Sequence, residues 1–197
     1  HDVWSDRAAQ QGSEQLFTQT LAARCQRAGV IWLEDQTLRF GSVAVVGSMA
    51  WYDYSAVDPT VAMSAAQLEE LKVAFNNDAR RIDWPHRDAV IAQRLGDALV
   101  ARLEGLERDA SIERVAVVTH VPLLEEQMER RPEDPTWGLC NAYFGNLTLG
   151  ERVTAYGKVR AIVSGHTHSR KRARRGAIDV RVVGSDYGAP EFELVEL

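Results

Sequence analysis

Apolar positions change their spacing several times along this chain. Leu16, Phe17, Leu21 and Cys25 recur at helical intervals after Ser13, a residue type suited to a cap, and stop before Gly29. That pattern predicts a helix to about Ala28. "VIWL", "LRF" and "VAVVGS" follow as short β-branched or apolar runs, and Gly41-Ser42 between the last two predicts a hairpin. Ser64 opens a second helical segment, "SAAQLEELKVAF". Asp88 opens a third and longer one, on which Val90, Leu95, Leu99, Leu103 and Leu106 form a stripe. "RVAVVTHVP" and "VRAIVSGHTH" then read as two buried-type strands, each of which stops at a histidine. "AIDVRVVGS" and "EFELVEL" close the chain as strands. The late strands are not separated by helices, so the expected class is an α/β sandwich with mixed sheets, not a simple doubly wound parallel sheet.

Composition changes this picture little. The chain has 197 residues, 45% of them hydrophobic and 26% charged, which suits one soluble domain over 1–197. No 18-residue apolar run is present, so no spanning helix is expected, and Cys25 and Cys140 read as small core residues of a reducing, cytoplasmic setting. The net charge of −5 disfavours a general nucleic-acid binder. Five basic residues nevertheless crowd into Arg170–Arg175, leaving the remainder near −10.

The chemistry concentrates in the histidines. His120, His166 and His168 all follow strand ends, where open α/β sheets place their ligand loops. In an extended segment, side chains at i and i+2 share a face, so His166 and His168 are expected to converge while Thr167 points away. Imidazole is the commonest side chain to bind transition metals. An isolated H-x-H is otherwise a surface pair, and a second histidine at a strand end strengthens the metal reading.

"VVTHVP" followed about 45 residues later by "GHTH" resembles the C-terminal half of the calcineurin-like metallophosphoesterases. The opening "HD" resembles the tail of that family's G-N-H-D motif, and "VGSMAWYDYS" is similar to bacterial members. The resemblance implies an α-β-β-α sandwich with two mixed sheets, in a chain that begins partway into the domain. It implies hydrolysis of a phosphate monoester or diester by a water activated between two divalent metal ions, manganese ahead of iron or zinc. By the same likeness, His120 and His166 ligate one ion and His168 the other. His1 is the catalytic histidine that meets the leaving oxygen, and Asp2 orients it. The expected partner is a phosphate-ester substrate, with no membrane and no favoured nucleic acid.

The sequence departs from the family pattern as well. It contains no D-x-H, and its one Gly96-Asp97 pair lies within a helical stretch with Val100 where a second aspartate belongs. This stretch alone is therefore expected to bind metal poorly and to be inactive, the activity belonging to the complete protein. A non-catalytic scaffold of the same fold is the alternative. Other segments carry weaker signals. "RKRARR" reads as a solvated hairpin or as a grip on an anion. The aromatics Trp51, Tyr52 and Tyr54 read as core or as a pocket wall. "NNDARRIDWPHRD" reads as a surface connection or as a cap over the site, with Arg80 or Arg81 as a phosphate clamp.

Overall fold

In the computed structural model of the chain, residues 3–5, 10–186 and 188–197 are described. His1 and Asp2 lie outside them. A first helical stretch runs from α1 (Ser13–Gln15) through a π segment (Leu16–Leu21) into α2 (Ala22–Arg27), and Gly29 at φ 66° ends it. A left-handed residue just past a helix closes its last turn without the steric cost a side chain would add. Next come β1 (Leu38–Phe40), β2 (Val43–Ser48), α3 (Ala65–Phe75), α4 (Asp78–Arg81) and α5 (Asp88–Arg108). The second half comprises β3 (Arg114–Thr119), α6 (Pro135–Cys140), α7 (Leu147–Thr154), β4 (Val159–Ser164), β5 (Lys171–Arg175) and β6 (Ile178–Val182).

The described residues form one six-stranded mixed sheet, ordered β1-β2-β3-β4-β6-β5, in place of the pair of sheets expected. Strands β2, β3, β4 and β6 run parallel, and antiparallel β1 and β5 flank them. The α/β class is thus as the sequence indicates. Two segments differ from it. "VIWL" and "EFELVEL" form no strand, although both look strand-like in isolation. Phe192 and Leu194 each remain 77% exposed while the Glu193 side chain turns inward, the reverse of the apolar-in alternation.

Helix α5 ties two apolar cores together. Its C-terminal half, through Leu99, Leu103 and Leu106, packs with Val46, Val117, Ile162 and Val180 from the sheet and with Leu149 and Val153 of α7. Its N-terminal half supplies Ile91, Ala92 and Leu95 to a second core built around Trp51, Tyr52, Tyr54, Leu68 and Tyr143. The stripe is therefore shifted by one residue at its start: Ile91 is buried, and Val90 is 47% exposed. No helix among the described residues is long and apolar enough to cross a membrane, and both cysteines are free.

Charge is buried in the second core at one point. Asp88 is 5% exposed and accepts hydrogen bonds from Trp51 Nε1 (2.6 Å), Tyr54 Oη (2.5 Å) and Lys72 Nζ (2.8 Å). The ammonium of Lys72 also lies 5.1 Å from the centre of the Tyr52 ring. A buried pair is stable only while both charges and their remaining valences are satisfied. Helix α3, which carries Lys72, begins with a capping box between Ser64 and Gln67, so its register against Asp88 is fixed from its first turn. Replacing Asp88→Ala leaves the ammonium without a counter-ion and is expected to lower stability by about 3–5 kcal/mol. Chemical denaturation of the two proteins measures this, and a loss below about 1 kcal/mol would show that the pair is not holding the second core.

Candidate functional site

The candidate site begins where three parallel strands stop together. Ser48, Thr119 and Ser164 are the last residues of β2, β3 and β4, and they are aligned in register. The backbone ladder continues one step beyond them. His120 N–H donates to Ser48 O (3.2 Å), and Gly165 N–H donates to His120 O (3.1 Å). Two loops from distant parts of the chain are thereby held side by side at the carboxyl edge of the sheet, the edge at which α/β folds bind ligands.

Buried polar groups anchor the loop after His120. Gln127 is fully buried. Its Oε1 accepts from the N–H groups of Leu123 and Leu124, and its Nε2 donates to Ser164 Oγ (2.8 Å) and Arg181 O (2.9 Å). This one amide joins the loop after β3 to the ends of β4 and β6. Pro122 O accepts from Asn146 N–H, and Asn146 caps α7 through Leu149 N–H. A methyl group added at Gly150 would lie 1.8 Å from Leu123 O, so only glycine lets α7 approach this loop so closely.

The structure brings His120 and His166 into contact. His166 Nδ1 and His120 Nε2 are 3.0 Å apart, and the rings meet edge to face with centroids separated by 4.8 Å. The Phe144 ring meets His166 edge to face with centroids 5.8 Å apart. The backbone of "GHTH" is not extended. His166 and His168 both have positive φ, 68° and 56°, and Thr167 N–H folds back onto Gly165 O. The i, i+2 argument consequently does not describe this loop. His166 faces His120, whereas His168 Nδ1 lies 3.0 Å from Asp186 Oδ1. His168 is still near enough to act electrostatically on both other rings.

Both paired imidazoles favour their neutral form. Crowding of protein around the His120 ring, then the neighbouring His166, push its pKa down to about 3, although part of the residue is open to solvent. Burial lowers His166 as well, against the opposing pull of Asp78 and the Tyr143 carbonyl. Neutral imidazoles with a lone pair to offer are what a metal ion requires.

Two cavities meet at His120. One is an inner void of about 20 Å³ lined by His120, His166, Tyr52, Trp51 and Asp78, enough for one water-sized occupant. Asp78 is held there by Trp4 Nε1 (2.9 Å) and Tyr52 Oη (3.2 Å), and burial keeps the Tyr52 phenol protonated far above its ordinary range. The other is an outer cleft of about 270 Å³ between Trp32, Leu33, Glu34, Met49 and His120. Glu34 accepts there from Ser48 Oγ and Met49 N–H, both at 2.7 Å, and burial raises its pKa against those two bonds.

The weaker sequence signals resolve individually. Segment 76–88 does reach the site, but through the Asp78 carboxylate; the Arg81 guanidinium instead stacks on Trp4 at 4.6 Å. Trp51, Tyr52 and Tyr54 are 1–5% exposed and belong to the interior. The basic run leads into and forms edge strand β5, and three of its four arginines meet carboxylates: Arg170 with Glu191 and Glu193, Arg172 with Glu193, and Arg175 with Glu126 and Glu151. Asp78, Glu34 and Gln127 are site residues that carry no motif.

As to metal, the donors are right in kind and short in number. Among the described residues, no group of three or more His, Cys, Asp or Glu side chains is arranged to hold an ion.

No family model matches the chain, and no curated protein matches it significantly. Among solved structures it is similar to the phosphopantetheinyl hydrolase (PptH) from Mycobacterium tuberculosis, with 21% identity and a TM-score of 0.68 over 93% of this chain and 66% of that one. The likeness establishes the fold, and the chain spans about two thirds of that protein's length.

The neutral histidines make stability depend on pH. In the unfolded chain they protonate near pH 6.5, and in the folded chain at lower pH, His120 at about 3. Between those values the unfolded state binds more protons, so stability falls as the pH drops. Thermal midpoints measured between pH 7 and 5 should decline, and His120→Gln should decline less steeply. Parallel curves for the two proteins would show that the ring is not held neutral by the fold.

Proposed function

We propose that this chain is the histidine-bearing part of a metal-dependent phosphoester hydrolase of the calcineurin-like metallophosphoesterase type. The observation that carries the proposal is the His120–His166 contact at 3.0 Å, on strand ends set side by side at the carboxyl edge of the sheet. Its support from likeness is that a protein of similar fold is, by name, a hydrolase of a phosphopantetheinyl group. That makes a phosphopantetheinyl ester the first substrate to try.

The geometry supports the following division of labour. His120 and His166 would offer ring nitrogens to an ion that replaced the N–H···N contact the two rings now make with each other. Phe144 packs on the His166 ring and holds it in orientation, the role outer partners play around metal-binding histidines. His168, backed by Asp186, is the third candidate ligand, and the remaining donors come from outside the described residues. When bound, the ions polarise a phosphoryl oxygen and lower the pKa of a water. His1 and Asp2 keep their proposed roles at the leaving oxygen. A non-catalytic scaffold of the same fold is the second reading, favoured by the incomplete donor set.

One experiment separates the two. The full-length protein containing this chain is assayed on an aryl phosphate and a phosphopantetheinyl ester with manganese, iron or zinc, and its bound metal is counted. Metal-dependent turnover is expected, with His120→Asn and His166→Asn each reducing kcat/KM by more than the 10–100-fold typical of outer-sphere changes and lowering metal content. Absence of turnover with every metal, or variants as active as the parent, would overturn the proposal.

A further inference from the structure

The outer cleft beside His120 has a chemical character of its own. Its walls are mostly hydrocarbon: Leu21 from the first helical stretch, Trp32 and Leu33 from the following loop, Met49 past β2 and Val118 near the end of β3. Trp32 is braced edge-on by Phe17 at 6.0 Å, so the wall is backed by packed core. The polar groups that reach the cleft are already engaged. Glu34 accepts from Ser48 Oγ and Met49 N–H, Ser48 Oγ also accepts from Ala50 N–H, and Thr119 Oγ1 donates to Val121 O. Among the described residues, no lysine or arginine lines the cleft, so its wall offers an anion no cationic partner. At about 270 Å³ it falls just under the size of pockets that enclose a whole small ligand. It suits one arm of a molecule whose other end lies elsewhere.

That other end is indicated by continuity. His120 lines both the outer cleft and the inner void that it shares with His166. We infer that the cleft is the subsite for an uncharged, largely apolar organic arm of a phosphoester, whose phosphoryl group sits at the histidine pair. The inference rests on the reading of that pair as the phosphoryl end. It names the substrate class: esters of an extended aliphatic or aromatic alcohol, in preference to nucleotides or polyphosphates, whose further negative charges would meet a hydrocarbon wall with no lysine or arginine among the described residues. Burial of each methylene of such an arm stabilises the complex enough to tighten binding by up to about fourfold.

The test is equilibrium binding of a homologous series, methyl, butyl, hexyl and octyl phosphate, to this chain by titration calorimetry, with the corresponding n-alkanols and a nucleoside diphosphate alongside. Affinity should climb with chain length in both series and level off once the cleft is full, and the diphosphate should bind no better than methyl phosphate. Trp32→Ala and Leu21→Glu should each flatten the slope, their folding being checked by circular dichroism. Affinity independent of chain length in the parent protein, a slope that survives both variants, or preferential binding of the diphosphate would each overturn the inference. The two proposals fail separately. Graded binding by a protein that hydrolyses no ester leaves the subsite standing and removes the hydrolase. Turnover indifferent to the alkyl chain removes the subsite and leaves the hydrolase.

Discussion

Three parallel strands that end on one line are the constraint on which the site depends. A parallel ladder runs its neighbours in the same direction, so aligned ends place successive loops on the same edge. Here β2, β3 and β4 end at Ser48, Thr119 and Ser164, and two backbone hydrogen bonds carry the alignment one residue further. His120 and His166, 46 positions apart in sequence, are brought within 3.0 Å by this arrangement and by no direct attraction of their own. Two imidazoles do not seek each other in water. The sheet imposes the encounter, and Gln127 secures it with an amide whose oxygen and nitrogen serve different loops.

A second constraint lies behind the first. The inner void is walled by Trp51, Tyr52 and Asp78, and the two aromatics belong to the core organised by the Asp88–Lys72 pair. A carboxylate removed from water needs its charge and its hydrogen bonds satisfied, and Asp88 obtains both from an ammonium, an indole and a phenol. Helix α5 begins at Asp88 and ends under the sheet, so the cap over the histidines and the strands beneath them share one rigid element. Packing at the site is therefore coupled to packing of the main core.

Much of the fold was legible because it is local. The capping pair Ser64/Gln67, the stop at Gly29, the start of α5 at Asp88 and the two strands that end in histidine all follow from short-range rules. "EFELVEL" misled because alternation shows which side chains differ, not which set faces inward. Arg170, Arg172 and Arg181 draw Glu193 in and leave Phe192 and Leu194 outside. "VIWL" looked like a strand, yet the antiparallel partner of β2 is β1 and its parallel partner is β3, which leaves no free edge for it there. At the site, the strand-end histidines were visible in the sequence. Asp78 and Glu34 were not, since an isolated carboxylate carries no motif and reaches the cavities only through tertiary packing.

The loop that carries "GHTH" shows why spacing alone misjudged the third histidine. Holding a non-glycine residue at positive φ costs on the order of 1–3 kcal/mol, and this loop does so twice, at His166 and His168. Gly165, which would adopt that conformation freely, is not where the chain uses it. The strain therefore falls on the ring-bearing residues themselves. Contacts that fix those rings must offset it: His120 and Phe144 for His166, and Asp186 for His168. An extended strand would have sent both rings to one face at no such cost. Turning the backbone at each histidine instead points one ring across to β3 and the other toward the C-terminal segment. In that geometry two rings from one short motif face two different neighbours, whereas a flat i, i+2 pair would face only one.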